Sequence, residues 1–321
     1  MFTGALFSAY ERSRLLGYLL IHAPTDAGRT NVQTEIELCT TDGQLKDLAQ
    51  LYIDHFIRIF KSTQGRTPTT SSRPSRSSFD VRQQETLKLL REAPKNHIAV
   101  KELVLRRDNH RCLVTGKLDM KEYFRKMKID PTFRGGFTVT QASRILPDCS
   151  NQELKLGSSE HAQKLNWTSS TWAVLERFGQ INLVSDEFNE CDTYCVDNVM
   201  TLDLLVHNLF HRLVLWFEPE GDILNQYRVC SIGEPDIGIP NPPIVTFTSS
   251  DPEIPVPNAR FLRLHAACAK IANLSGASEY IESTLHDMEE MEVLATDGTS
   301  ADVLNFALGR IPVSIEHRGS A

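Results

Sequence analysis

Residues 62–78, STQGRTPTTSSRPSRSS, hold ten Ser or Thr, two Pro and three Arg, with no acidic residue. They offer no apolar group to bury, so no core can be built from them. Whatever folds must lie on one side or the other. The stretch reads as a flexible basic linker, and as a phosphorylation target, between a helical N-terminal segment and a main domain. A chain of 321 residues has room for roughly two ordinary domains, or for one core elaborated at both ends. The expected division is a helical segment over 1–61, a linker over 62–79, a core over 80–218, and a Pro-rich, helical C-terminal region with an acidic tail over 219–321.

Composition narrows the class. With 41% hydrophobic and 23% charged residues the chain lies in the soluble globular range. No apolar run approaches the roughly 18 to 20 residues that a membrane span requires. Arg12 and Arg14 precede LLGYLLI and imitate a signal peptide, but that run is short and no small-residue cleavage pattern follows. Seven cysteines, an odd number, suit a reducing compartment better than a disulfide framework. The expectation is an intracellular protein, cytoplasmic or nuclear, with no membrane partner.

Charge is unevenly spread. The net charge is −7, yet residues 58–144 hold 20 Lys or Arg against 8 Asp or Glu, or +12, leaving −19 for the rest. One face can then attract a polyanion while the whole chain stays acidic. Charges scattered over helix surfaces would give the same count. Residues 276–302 carry eight acids and no Lys or Arg, which reads as a solvated helix face and tail.

Helical spacing of Leu45, Leu48, Ala49, Leu51, Tyr52, Phe56, Ile59 and Phe60 predicts an amphipathic helix. Further helices are expected over VRQQETLKLLREA, HIAVKELVLRRD, MKEYFRKMK, SSTWAVLERFG, ARFLRLHAACAKIANL and SEYIESTLHDMEEME. Two strands are expected over 111–117 and 136–146, paired as an antiparallel ribbon around the MKEYFRKMK insertion. Residues 198–217 read as a turn and a strongly apolar helix that ends in a strand.

Five segments occur in a telling order: RDNHRCLVTG, TQASRILPDCSN, STWAVLERFG, DNVMTLDLLVHNLF and ARFLRLHAACAKIANLSGASEYI. Together they resemble the HNH endonucleases of the ββα-metal fold, and specifically the HNH-domain proteins common in filamentous fungi. The resemblance covers about residues 96–290. It implies an α+β protein with a ββα-metal HNH-like core and helical N-terminal and C-terminal additions. It also implies divalent-metal-dependent hydrolysis of DNA phosphodiesters.

Such hydrolysis needs an activated water, a cation to take up charge on the phosphoryl oxygens and leaving group, and groups that hold both in line. In the family a strand histidine is the general base, an asparagine orients it, and a helix histidine binds the metal with a neighbouring strand residue. By resemblance Asn198 is the orienting residue and His207 the metal ligand, with Ser143 and His211 as further candidate ligands. The resemblance implies Mg or Mn; two imidazoles one helical turn apart instead favour Zn or Ni. The base position is occupied by Arg144, whose pKa above roughly 12 prevents it from accepting a proton at neutral pH. Its planar donors suit phosphate instead, and Arg106, Arg107 and Arg111 are further candidate contacts to DNA. Asn198 also has the residue type of a helix cap.

The expected function is therefore that of an impaired or inactive HNH nuclease-domain protein. Two other readings remain. One is a non-catalytic nucleic-acid-binding or protein-interaction module. The other is a structural zinc protein in which Cys191, Cys195, His207 and His211 approximate a C2H2 finger, one residue short of the usual spacing.

Overall fold

The computed structural model describes residues 7–61, 97–147, 159–181, 196–233, 237–239 and 243–290. The linker at 62–79, the helix expected over VRQQETLKLLREA, Cys191, Cys195 and the acidic tail past residue 290 lie outside the described residues.

The protein is α+β, a mixture of helices and short strands. Three N-terminal helices come first: α1 (Ala9–Ile21), α2 (Asp26–Glu37) and α3 (Asp42–Tyr52). Each begins at a Ser or Thr whose side chain accepts from a backbone N–H of the first turn, and Ser8 and Thr41 complete capping boxes with Glu11 and Gln44. The periodic stretch at 45–60 forms as expected, with one π-helical turn (Ile53–Ile57) leading into α4 (Arg58–Lys61). Next come α5 (His97–Arg107) and α6 (Met120–Ile129), which is the expected insertion, then α7 (Ser159–Gly179). The chain closes on α9 (Ala259–Ser275) and α10 (Ala277–Glu290), separated by Gly276 at φ 86°.

The expected strand at 111–117 does not form. Gly116 takes φ +67°, its N–H donates to the Cys112 carbonyl, and the Cys112 N–H donates to the Lys117 carbonyl, so the segment is a tight turn. Only Leu118–Asp119 (β1) extends, and it pairs in parallel with β2 (Phe137–Thr138). The antiparallel ribbon forms elsewhere. Strand β3 (Thr140–Arg144) pairs with β4 (Val199–Asp203), with Ser143 opposite Met200 and Arg144 opposite Val199. Residues 199–203 were expected in a helix; all five are buried, and a short continuous apolar run fits a buried strand as well as a buried helix. The helix starts later, as α8 (Leu204–His211), where the Asp203 side chain accepts from the Val206 N–H. Asp203, not Asn198, is the cap. A separate antiparallel sheet follows, ordered β5 (Leu215–Pro219), β6 (Gln226–Ser231), β7 (Ile244–Thr246).

Among the described residues one continuous apolar core takes side chains from the N-terminal helices and from the elements after β3, among them Leu15, Ile53, Phe56, Leu146, Phe178, Met200, Phe210, Phe217 and Ile271. Residues 9–61 thus share their core with the rest of the protein. Glu35 of α2 accepts from the Tyr52 hydroxyl at 2.9 Å and pairs with Arg177 of α7 at 3.0 Å. At the same crossing Gly28 lies so close to α7 that a Cβ there would sit 2.1 Å from the Phe178 carbonyl oxygen. Among the described residues no helix is long and apolar enough to cross a membrane.

Candidate functional site

Strand β3, strand β4 and helix α8 run in that order, and the capping of α8 by Asp203 sends it straight out of β4. Register and cap together place the four candidate side chains. Ser143 is completely buried, and its hydroxyl lies 2.5 Å from His207 Nδ1 in a short hydrogen bond whose donor is set by the imidazole tautomer. His211, one turn on, packs its ring edge-on to His207 with centroids 4.4 Å apart. Arg144 is half-buried, and its positive charge acts on His211. Ser143, Arg144, His207 and His211 are therefore gathered around one strand and one helix.

Burial lowers the pKa of His207. His211 is lowered to about 4, first by burial, then by repulsion from His207 and from Arg144. Both imidazoles are neutral at pH 7. Beneath them His265 of α9 stacks on Phe210 at 3.7 Å and 7°, with Nε2 within 3.1 Å of the Phe210 carbonyl. His265 is not distinguishable in the sequence, because a lone histidine in an apolar helix carries no signal beyond its spacing.

Asn198 plays a different part. It is buried, its Oδ1 accepts from the Leu146 N–H at 2.8 Å, and its Nδ2 donates to the Leu146 carbonyl at 3.3 Å. Its own carbonyl accepts from the Ile145 N–H at 2.8 Å. Asn198 therefore extends the ribbon one step past Arg144 and fixes where the chain leaves β3. These amide bonds go to backbone and hold the strand end.

Arg107 corrects another expectation. It is fully enclosed and forms a fork to Asp108, with contacts of 2.6 and 3.0 Å, while its remaining donors reach the carbonyls of Val196, Val199 and Pro255. Asp108 in turn accepts from the Thr201 N–H at 3.0 Å. An enclosed guanidinium whose donors are spent on carbonyls cannot meet a phosphate; this pair locks the start of β4 to the end of α5. Arg106 is exposed and pairs with Asp251 at 2.6 Å. Arg111 is half-buried and donates to the Gly116 carbonyl at 2.8 Å.

Among the described residues the donor set around His207 and His211 does not suit the expected metal. Around His207 and His211 stand a neutral hydroxyl and a guanidinium, whereas Mg and Mn require several oxygen ligands, usually with carboxylates among them. Among the described residues no group of three or more His, Cys, Asp or Glu is gathered to hold a metal ion. Two imidazoles also fall short of the four ligands of structural zinc or the three of catalytic zinc, and Arg144 adds positive charge where a cation would sit. The other two members of the finger reading, Cys191 and Cys195, lie outside the described residues.

No protein-family model, no curated protein and no solved structure matches this chain.

Proposed function

We propose that the β3–β4–α8 unit is an HNH-like ββα scaffold whose hydrolytic activity is lost or strongly reduced, and that it serves to bind nucleic acid through its phosphates. The observation that carries this reading is Arg144. At the strand end where the family resemblance puts a general base stands a permanent cation, with its charge acting on His211. A guanidinium cannot take a proton from water at neutral pH, and loss of a general base costs on the order of 10² to 10⁴ in rate. The same planar donors favour a phosphate oxygen pair. Neutral His207 and His211 add hydrogen-bonding capacity without a fixed charge, and Ser143 holds the His207 ring in place.

Two measurements on the purified full chain test this. Supercoiled plasmid incubated with Mg²⁺, Mn²⁺, Ni²⁺ or Zn²⁺ should show no nicking above background. Clear cleavage that disappears in His207→Ala would overturn the loss of activity. Duplex DNA should bind at low salt, weaken steeply as salt rises, and bind less well to Arg144→Ala. Absence of binding at low salt would sink the binding role.

A further inference from the structure

Helix α6 and strand β2 present a second surface, apart from the Arg144 cluster. Along α6, Phe124, Arg125 and Lys128 lie three, four and seven residues beyond Lys121, so the four share one face, and all four are exposed. Their stripe extends about 10 Å along the helix axis. Phe124 is 48% exposed and touches Phe137 of β2, itself 45% exposed, at 5.7 Å between ring centroids. Tyr123 supports Phe137 from inside at 4.6 Å and also packs on Phe133 at 5.6 Å, while Lys126 lies 5.8 Å from the Phe133 ring centre. Two half-open rings thus stand on a fixed aromatic base and are flanked by cations.

The position is held from both sides. Asp119 caps α6 by accepting from the Lys121 N–H and also accepts from the Thr140 hydroxyl at 2.6 Å, tying the helix to the start of β3. Beside β2 a groove of about 620 Å³, lined by Lys117, Thr138, Leu204, Leu205, Asn208 and the acidic Asp203, runs toward α8. From Lys117 to Thr138 the chain has six Lys or Arg against three Asp or Glu. Paired bases in a duplex present only edges, but an unpaired base has an open face to lay on an aromatic ring, and cations beside the ring meet the backbone.

We infer that this face is a stacking surface for single-stranded nucleic acid, with Phe124 and Phe137 holding bases and Lys121 and Lys128 holding phosphates, beside Arg125, whose guanidinium is forked onto Glu122 at 2.6 Å. The inference rests on the nucleic-acid reading and specifies the form of the ligand. It predicts that the protein prefers an unpaired strand to a duplex of the same sequence.

Anisotropy of a fluorescein-labelled 20-mer of thymidylate, of the same length of uridylate and of a mixed-sequence duplex tests it on the full chain. Each of Phe124→Ala and Phe137→Ala should weaken single-strand binding by about tenfold, and Phe124→Trp should restore it. Duplex binding should stay within about twofold in the ring variants, as estimated from contacts to phosphate alone. The exposed charge reversal K121E/K128E, which touches no core residue, should also weaken single-strand binding if the stripe acts as proposed. Wild-type affinity in both ring variants and in K121E/K128E would overturn the surface, leaving the Arg144 reading intact if duplex binding still depends on Arg144. Absence of binding to any oligonucleotide would end both. Light scattering that showed a wild-type dimer dissociated by Phe124→Ala, without oligonucleotide binding, would reassign the face to self-association.

Discussion

Asn198 holds the end of β3 through its side-chain amide. Its amide satisfies both backbone groups of Leu146, and Leu146 is completely buried. Asn198→Ala would leave a buried N–H and C=O without that partner, so urea unfolding should show a loss of about 2 to 3 kcal/mol. His265 supplies a test of pH dependence. Burial and the nearby His211 hold its pKa down to about 3, against an ordinary 6.5. Between those values the unfolded chain binds a proton that the folded chain refuses. His265 therefore favours the fold fully above pH 6.5 and progressively less as pH falls toward 3, by on the order of 1 kcal/mol per pH unit. Denaturation of His265→Phe followed from pH 7 to 4.5 should have a shallower acid slope than wild type. Equal slopes would show that other groups carry the dependence.

At the scale of elements, the outcome turns on where apolar runs divide. The run from Val199 to Phe217 has the apolar pattern of one helix leading to a strand, but it contains strand β4, helix α8 and strand β5. The dividing signal was present in Asp203, an N-cap type followed directly by apolar residues. Gly116 marked the turn that displaced the expected first strand, since φ +67° is open to glycine at little cost. The crossing of α2 and α7 depends on another glycine. In Gly28→Ala the new methyl would meet backbone rather than a movable side chain, only 2.1 Å from the Phe178 carbonyl oxygen. The helices would have to separate. A loss of about 1 to 3 kcal/mol in chemical denaturation is expected, while Gly43→Ala, whose nearest neighbour is 3.8 Å away, should change stability much less.

For the whole molecule, the N-terminal helices and the later elements share one apolar core among the described residues. Phe56 meets Phe178 edge-on at 5.0 Å, Phe60 approaches His265 at 5.7 Å, and Lys61 pairs with Glu282 of α10 at 2.8 Å. A chain lacking residues 1–61 should therefore fail to fold cooperatively, with broad amide NMR dispersion lost. In the full chain, circular dichroism and tryptophan fluorescence should follow a single coincident urea transition. Two separated transitions would restore the two-unit view.

Local chemistry was legible because it depends on neighbours in sequence: most helix positions followed from apolar spacing, and Arg144's inability to act as a base follows from the guanidinium itself. The periodic Lys121, Phe124, Arg125 and Lys128 could have been read the same way, but the half-exposed partner Phe137 could not. The pairing of β3 with β4, the enclosure of Arg107 and the meeting of Ser143 with His207 join residues 55 to 148 positions apart. Such contacts are selected by which apolar surfaces can be buried together, a competition over the entire chain that no local pattern records. Helices and the chemical limits of the site residues follow from local pattern and side-chain chemistry, whereas which of those residues meet and which are sealed inside depends on how the whole chain packs.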